Sequence, residues 1–392
     1  MNETLIDWVW AQQVFGYGSS KPMELYRQYG SIRKFLESPD FARYPFEESE
    51  KVRVEHMTAE KCRELIAKAE KVGMKFLTPD SPEYPICLKE ISNPPAVLYY
   101  YGTIPPVDRV PSIAVVGSRK CSEGGAVSTS LITNQLAKAG AVVVSGAAIG
   151  IDSAAHEGVL SAGGKSVAFF PCGLDLLKGK YPRRMLYGIL RKGALVSEFA
   201  PGVDVQKWHY RVRNRLISGM SCGVLVAEAE FKSGTMLTAR HAVEQSRDVY
   251  TLMVSSWQGN SEGILHLLWD GAKPISCAAD ILVEYQQRFP GFGVPKRQPI
   301  SYLKETARDM NPPVPQKALL KKQADSAKKP KPTVPLSPNA EKMLGYLSAS
   351  PISLEELADK SGMSTAEIFR YTTELELAQR VQTYSGRRYA LK

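Results

Sequence analysis

Between residues 112 and 287, short apolar runs rich in β-branched residues alternate with amphipathic stretches, and this alternation constrains the fold more than any other feature of the chain. Strands are expected at 113–117, 141–145, 166–170, 194–197, 223–227 and 248–253, with helices at 124–139, 151–161, 182–191, 211–219 and 235–246 between them. A further helix, a short strand and a helix near 278–287 complete the series. Runs such as Ile113-Ala114-Val115-Val116 and Val142-Val143-Val144 have no polar alternation, as befits strands buried on both faces. Repeated βα units of this kind build a parallel sheet with right-handed crossovers and helices on both sides. The expected class is α/β, an extended Rossmann-like doubly wound parallel sheet. The run Val97-Leu98-Tyr99-Tyr100-Tyr101, inside a Pro-rich stretch, reads as one extra strand.

Open α/β sheets bind ligands beyond the carboxyl ends of their strands. Two of these strands end there in glycine, as Gly117-Ser118-Arg119 and as Gly146-Ala147-Ala148-Ile149-Gly150-Ile151-Asp152. Glycine lets backbone N–H groups converge on an anion, and the start of the following helix adds partial positive charge. Phosphate is the natural ligand of such turns, although the same glycines would also serve plain strand-to-helix turns. The GxGxxG of a dinucleotide site is absent, and so is the GxxxxGK[ST] of a nucleotide triphosphatase. A third turn of the same kind, Ser233-Gly234-Thr235, follows Glu228-Ala229-Glu230.

The segment Lys207-Trp208-His209-Tyr210-Arg211-Val212-Arg213-Asn214-Arg215 packs cations and aromatic rings together ahead of an apolar helix. Such a mixture suits single-stranded nucleic acid, with cations tracking phosphates and rings stacking on bases. In one helix, Lys207, Arg211 and Arg215 would share a face. The plainer alternative puts Trp208 and Tyr210 in the core and the arginines on a solvated rim. Asp152 and His156 stand four apart at a helix start, a spacing that could orient a general base. With no nucleophile nearby, a cap and a structural hydrogen-bonder is the favoured reading.

The formal charge of +10 suggests nucleic acid only once it is located. Residues 291–338 hold ten Lys or Arg against three Asp or Glu, with nine prolines, whereas 339–392 hold seven of each sign. The high pI is therefore mostly a property of one basic Pro-rich linker, and any site on the folded body must be a local cluster. The expected domains are a helical module of the SAM or helix-hairpin-helix kind at 1–74, the Rossmann-like domain at 75–290, the linker at 291–338 and a winged helix at 339–392. Gly16 and Gly18 fit either a hairpin offering N–H groups to a DNA phosphate or an ordinary αα-turn used for packing. In the winged helix, Glu367, Glu374 and Glu376 against Arg370 favour a protein contact or accessory role over sequence-specific DNA reading. The six cysteines are scattered without CxxC and the histidines are not clustered, so neither zinc nor a disulfide framework is expected. With no apolar run near membrane length and no signal-like N-terminus, the expected setting is soluble and cytoplasmic.

These residues together carry a resemblance. Val116-Gly117-Ser118-Arg119, Ser145-Gly146, Gly150-Ile151-Asp152, Ala155-His156, Gly173-Leu174-Asp175, Tyr181-Pro182, Ser197-Glu198, Arg213-Asn214-Arg215, Glu228-Ala229 and Ser233-Gly234-Thr235 with Thr238-Ala239 follow the order and spacing of the DNA processing protein A family, also called Smf. The resemblance implies an extended Rossmann fold, a homodimer, binding of single-stranded DNA, and loading of the recombinase RecA onto incoming DNA in natural transformation. It implies no catalysis, and no cofactor is expected. Carried over, Gly117, Ser118 and Arg119 would cradle a DNA phosphate, with Lys207, Trp208, Arg211, Arg213, Asn214 and Arg215 about the same groove. Gly146 and Gly150 would shape its floor, Ser233, Gly234 and Thr235 would add a third loop, and Asp152 and His156 would be scaffold. The main rival is an enzyme of the phosphoribohydrolase type, long called lysine decarboxylases. Their Pro-Gly-Gly-x-Gly-Thr pattern is not met by Lys232-Ser233-Gly234-Thr235.

Overall fold

The computed structural model describes residues 3–253, 261–298, 337–348, 351–378, 380–384 and 388–391. They form two compact units, one within Met1–Pro315 and one within Gln316–Lys392. Most of the expected linker at 291–338, Val254 and the expected wing turn at Ser385-Gly386 lie outside the described residues.

The larger unit is built on nine strands: β1 (Lys75–Leu77), β2 (Leu98–Gly102), β3 (Ser112–Val116), β4 (Val142–Ser145), β5 (Lys165–Phe170), β6 (Ala194–Ser197), β7 (Gly223–Val226), β8 (Asp248–Leu252) and β9 (Lys273–Ile275). Their order is β1-β2-β6-β5-β4-β3-β7-β8-β9. From β6 to β9 every pairing is parallel, with Ala114 opposite both Val144 and Val224, whereas β2 runs antiparallel to β6 and to β1. The β-branched runs are buried throughout β3, β4 and β7, as unbroken apolarity requires when helices cover both faces. The chain runs β3, β4, β5, β6 outward on one side and returns to β7 on the other. The strand order thus reverses between β3 and β7, and the carboxyl ends of those strands mark the crevice where such sheets bind ligands.

The N-terminal helices do not stand apart. Trp8, Phe15, Phe35 and Ile66 share one core with Phe170 and Leu195 of the sheet, so the region expected as a separate module at 1–74 is built into the larger unit. Its glycine hairpin faces inward. The Gly18 N–H donates to Glu198 Oε1 at 3.0 Å, and Asn93 Nδ2 donates to the Gly18 carbonyl at 2.9 Å. The N–H that a helix-hairpin-helix would offer to DNA is therefore committed to the protein, and the packing reading of Gly16 and Gly18 is the one the structure supports.

The smaller unit has helices at Pro338–Leu344, Leu354–Ser361 and Thr365–Leu377, and a sheet of β10 (Ile352–Ser353), β12 (Arg388–Leu391) and β11 (Val381–Tyr384) in that order. Met343, Leu357, Ile368, Leu375 and Tyr389 form its core, and Gly362 ends the second helix at φ +67°. This is a winged helix. Two acids of its third helix serve as caps: Glu367 accepts from the Ser364 N–H and Oγ, and Glu374 from the Ser337 N–H and Oγ. Among the described residues no helix is long and apolar enough to cross a membrane.

Candidate nucleic-acid interface

The two glycine turns form one interlocked body. A Cβ at Gly117 would lie 2.6 Å from the Ile151 side chain, and one at Gly150 would lie 2.4 Å from the Ser118 carbonyl oxygen and 2.7 Å from that of Arg119. Gly150 sits at φ +88°, and the Ile151 N–H donates to Ser118 O at 3.2 Å. Ala147, at φ 53°, holds a left-handed conformation that a residue with a Cβ seldom adopts, so strain is stored in the second loop. Gly146 is needed for a different reason. Its missing Cβ leaves room for the Arg213 guanidinium, whose Nη1 would be 1.6 Å from that atom.

The crevice between β3 and β7 already holds an anion of the protein's own. Glu228, only 2% exposed, accepts from the Ser122 N–H at 2.9 Å and from Ser122 Oγ, and its backbone carbonyl takes the Ser118 N–H at 2.8 Å. Gly125 makes room for it, since a Cβ there would meet the carboxylate at 2.0 Å. The start of the helix Glu123–Lys138 is thus capped from within, and the Ser118 amide does not face outward. Of the backbone groups expected to meet a phosphate at Gly117, Ser118 and Arg119, the Ser118 N–H is committed to the protein. What the turn presents is cationic, with Arg119 and Lys120 both exposed.

The segment Lys207–Arg215 separates into two layers. Counting along an unbroken helix puts Lys207, Arg211 and Arg215 on one face. The helix in fact starts at His209, so Lys207 precedes it. Lys207, Trp208 and Arg211 are exposed, while His209, Arg213, Asn214 and Arg215 are buried. Arg215 Nη2 pairs with Glu198 Oε2 at 2.5 Å, both side chains lying almost out of reach of solvent. Asn214 Nδ2 donates to the Gly234 carbonyl at 3.1 Å, tying two helices together. Neither residue lines an open groove. His209 stacks on Phe199 at 4.1 Å between ring centres.

Tyr210 joins the layers. It is half-buried; the Arg119 guanidinium lies 4.9 Å from its ring centre and that of Arg213 5.9 Å. The third turn, Ser233-Gly234-Thr235, is a more open helix start. Ser233 stands at the N-cap position in extended conformation, its Oγ is buried without a hydrogen-bond partner among the described residues, and Gly234 is exposed. Exposed apolar residues flank these turns along the carboxyl edge, with Ile149 after β4, Trp208 after β6, Phe231 after β7 and Met253 after β8. Sequence reasoning missed Ile149, Phe231 and Met253, although Ile149 and Phe231 lie in or beside turns already read as ligand-facing, and Met253 was placed inside a strand.

Asp152 and His156 sit beneath this surface. Asp152 accepts from the Ala148 N–H at 3.3 Å; burial raises its carboxyl pKa, and nearby Arg213 opposes the rise. His156 Nδ1 lies 2.8 Å from Ser166 Oγ, whose single proton goes to the Val143 carbonyl, so Nδ1 carries the imidazole proton. Burial, aided by the charge of Arg213, pushes the His156 pKa down to about 3. In an unfolded chain the ring titrates near about 6.5. Below that pH the unfolded state binds a proton that the folded state refuses, so His156 withdraws stability as pH falls from about 6.5 toward 3, by up to about 1.4 kcal/mol per pH unit. Urea midpoints should therefore fall between pH 7 and 4.5, and the fall should be shallower in His156→Asn. Equal slopes in the two proteins would place the proton uptake elsewhere.

With this geometry in view, comparison with known proteins is decisive. Residues 75–286 match the family model of DNA recombination-mediator protein A. The chain belongs to this family. Residues 327–387 match the winged helix domain of the same family, DprA. Protein Smf of Synechocystis is 32% identical over 329 residues, covering 80% of this chain and 79% of that protein. DNA processing protein DprA of Streptococcus pneumoniae is 40% identical over 203 residues, 52% of this chain and 71% of that one. Its X-ray structure superposes with TM-score 0.57 at 32% identity, covering 67% of this chain and 91% of that chain. A DprA structure from Helicobacter pylori, described for its single-stranded DNA binding mode, gives TM-score 0.50 at 26% identity over 56% of this chain and 98% of that chain. DprA membership accounts for the mostly parallel sheet and the winged helix seen here.

Proposed function

We propose that the carboxyl edge of the sheet binds single-stranded DNA, shielding incoming DNA and passing it to the recombinase RecA during natural transformation, in the cytoplasm and as a homodimer. The observation that carries the DNA reading is the placement of exposed Arg119, Lys207 and Arg211 around Tyr210 and Trp208 on one edge, cations and rings together. Fixed cations track a sugar-phosphate backbone, and rings take unpaired bases that a duplex keeps stacked inside. The DNA binding described for the Helicobacter pylori relative supports the same assignment. RecA loading and dimerisation rest on family membership. Gly117, Gly146 and Gly150 act as the packed floor, with Ser233, Gly234 and Thr235 as a second anion-facing turn. The winged helix is assigned an accessory or protein-contact role.

The phosphoribohydrolase reading is not favoured. Glu228 fills the crevice at the strand-order reversal, and His156 is buried against Ser166 rather than poised beside a nucleophile. The test is an equilibrium titration of the full chain with an oligo-dT and with a duplex of equal length. Tighter binding to the single strand is expected, with log affinity falling against log salt by roughly 0.7 per neutralised phosphate. A preference for duplex would sink the proposal.

A further inference from the structure

We propose that the outer face of the helix Arg183–Leu190 is a second contact for single-stranded DNA, taking the strand after it leaves the carboxyl edge; the proposal rests on the single-stranded DNA reading above. From Lys178 to Lys192 the chain carries six Lys or Arg and no acid. Met185 and Ile189 bury one side of the helix, and Gly188 lets it lie close to Leu160, since a Cβ there would be 2.6 Å from that side chain. The opposite side is left with Arg183, Arg184, Tyr187 and Arg191, all exposed. Arg191 keeps helical backbone angles, so spacings of three and four residues align these side chains in one stripe about 12 Å long. Tyr187, 68% exposed, stands between the cations.

Most of this charge is not used within the protein. Lys180 pairs with Asp204 at 2.8 Å and Lys192 Nζ donates to the Gly163 carbonyl at 2.7 Å, whereas Lys178, Arg183, Arg184 and Arg191 make no ion pair among the described residues. Glu157 on the neighbouring helix feels the charge of Arg184 without closing to ion-pair distance. Arg183 and Arg184 also occupy the first helical turn, where the helix dipole disfavours cations, so helix stability does not account for them. The stripe adjoins the carboxyl edge through Tyr181, whose ring packs edge-on against Phe170 at 4.9 Å between centres. Burial pushes the Tyr181 hydroxyl up to about 12, and the charges of Arg213 and Arg119 reach it. A strand passing Arg119 thus has the start of this helix as its neighbour. Guanidinium groups suit phosphate, and the open ring of Tyr187 offers a stacking face to a base of any identity.

Length dependence separates this contact from the edge. Affinity of the full chain is measured for oligo-dT of roughly 6 and roughly 20 nucleotides, within and beyond the span of one compact site. The proteins are wild type, Arg183→Ala/Arg184→Ala/Arg191→Ala, Tyr187→Ala, and Lys34→Ala/Lys61→Ala/Lys71→Ala, which removes equal charge from exposed positions on the N-terminal helices, with thermal melts to confirm folding. The arginine variant is expected to bind the short strand like wild type and to lose roughly five- to ten-fold on the long one, with a salt slope there shallower by about 2. Tyr187→Ala should lose about five-fold on the long strand alone, and the lysine variant should change little on either. Equal losses for the arginine and lysine variants, or an arginine loss of the same size at both lengths, would overturn the proposal. Unchanged binding of the long strand would overturn it too and leave the stripe to an acidic protein surface. If Arg119→Ala/Lys207→Ala/Arg211→Ala binds the short strand like wild type, the edge reading fails and this proposal with it; a weakened edge variant beside an unaffected arginine variant fails the stripe alone.

Discussion

Arg215→Ala is expected to destabilise the larger unit by about 3–5 kcal/mol, the range for a buried ion pair broken from one side. Arg215 and Glu198 are 3% and 2% exposed, so removing the guanidinium strands a carboxylate that solvent cannot reach. The Gly18 N–H, donated to the same carboxylate, would be its one remaining partner among the described residues. Since Gly18 belongs to the N-terminal hairpin, loss of the pair should also loosen the N-terminal helices from the sheet. The melting temperature should fall by on the order of 10 °C. The control is the double change Arg215→Met/Glu198→Met, which should recover much of that loss because no charge is left buried. Single-stranded DNA affinity of Arg215→Ala, measured well below its melt, should change little. A stable Arg215→Ala that binds DNA poorly would return Arg215 to the groove.

Gly150→Ala should cost about 3 kcal/mol or more. Two terms add: roughly 1–3 kcal/mol for a backbone conformation open almost only to glycine, and roughly 1–3 kcal/mol for overpacking. The atoms in the way are the carbonyl oxygens of Ser118 and Arg119, at 2.4 and 2.7 Å from the added carbon, and main chain cannot rotate aside as a side chain does. Gly16→Ala is the matched control, for it shares a positive φ of +85° but would meet nothing within 4 Å. If Gly150→Ala costs no more than Gly16→Ala in urea, the two loops are not interlocked. Because one of the two oxygens belongs to Arg119, oligo-dT affinity should fall as well.

The sheet was legible because burial on both faces leaves a plain mark, an unbroken β-branched run, and the expected strand 194–197 agrees with the observed Ala194–Ser197. Lys75–Leu77 escaped notice since three residues leave no period to read. Burial of individual cations was not legible. Arg211 and Arg215 look alike in sequence, and what separates them is Glu198 arriving from the end of β6, a contact fixed by tertiary packing. Glu228 was visible as part of a motif, but its role as an internal cap for Ser122 depends on the parallel pairing of β3 with β7, which spans more than a hundred residues. That pairing is also what commits the Ser118 N–H to the Glu228 carbonyl. Tyr210 appeared as one ring in an aromatic-basic cluster, and only the folded loops show that two guanidinium groups share it.

The central claim is that Arg119, Lys207 and Arg211 on the carboxyl edge neutralise the phosphates of a single strand. The most direct test is the salt dependence of oligo-dT binding for the full chain and for Arg119→Ala/Lys207→Ala/Arg211→Ala, with the basic segment 291–338 present in both and so cancelling in the difference. The slope of log affinity against log salt should be shallower in the triple variant by about 2, near 0.7 for each cation removed. Equal slopes in the two proteins, with equal affinities, would contradict the claim.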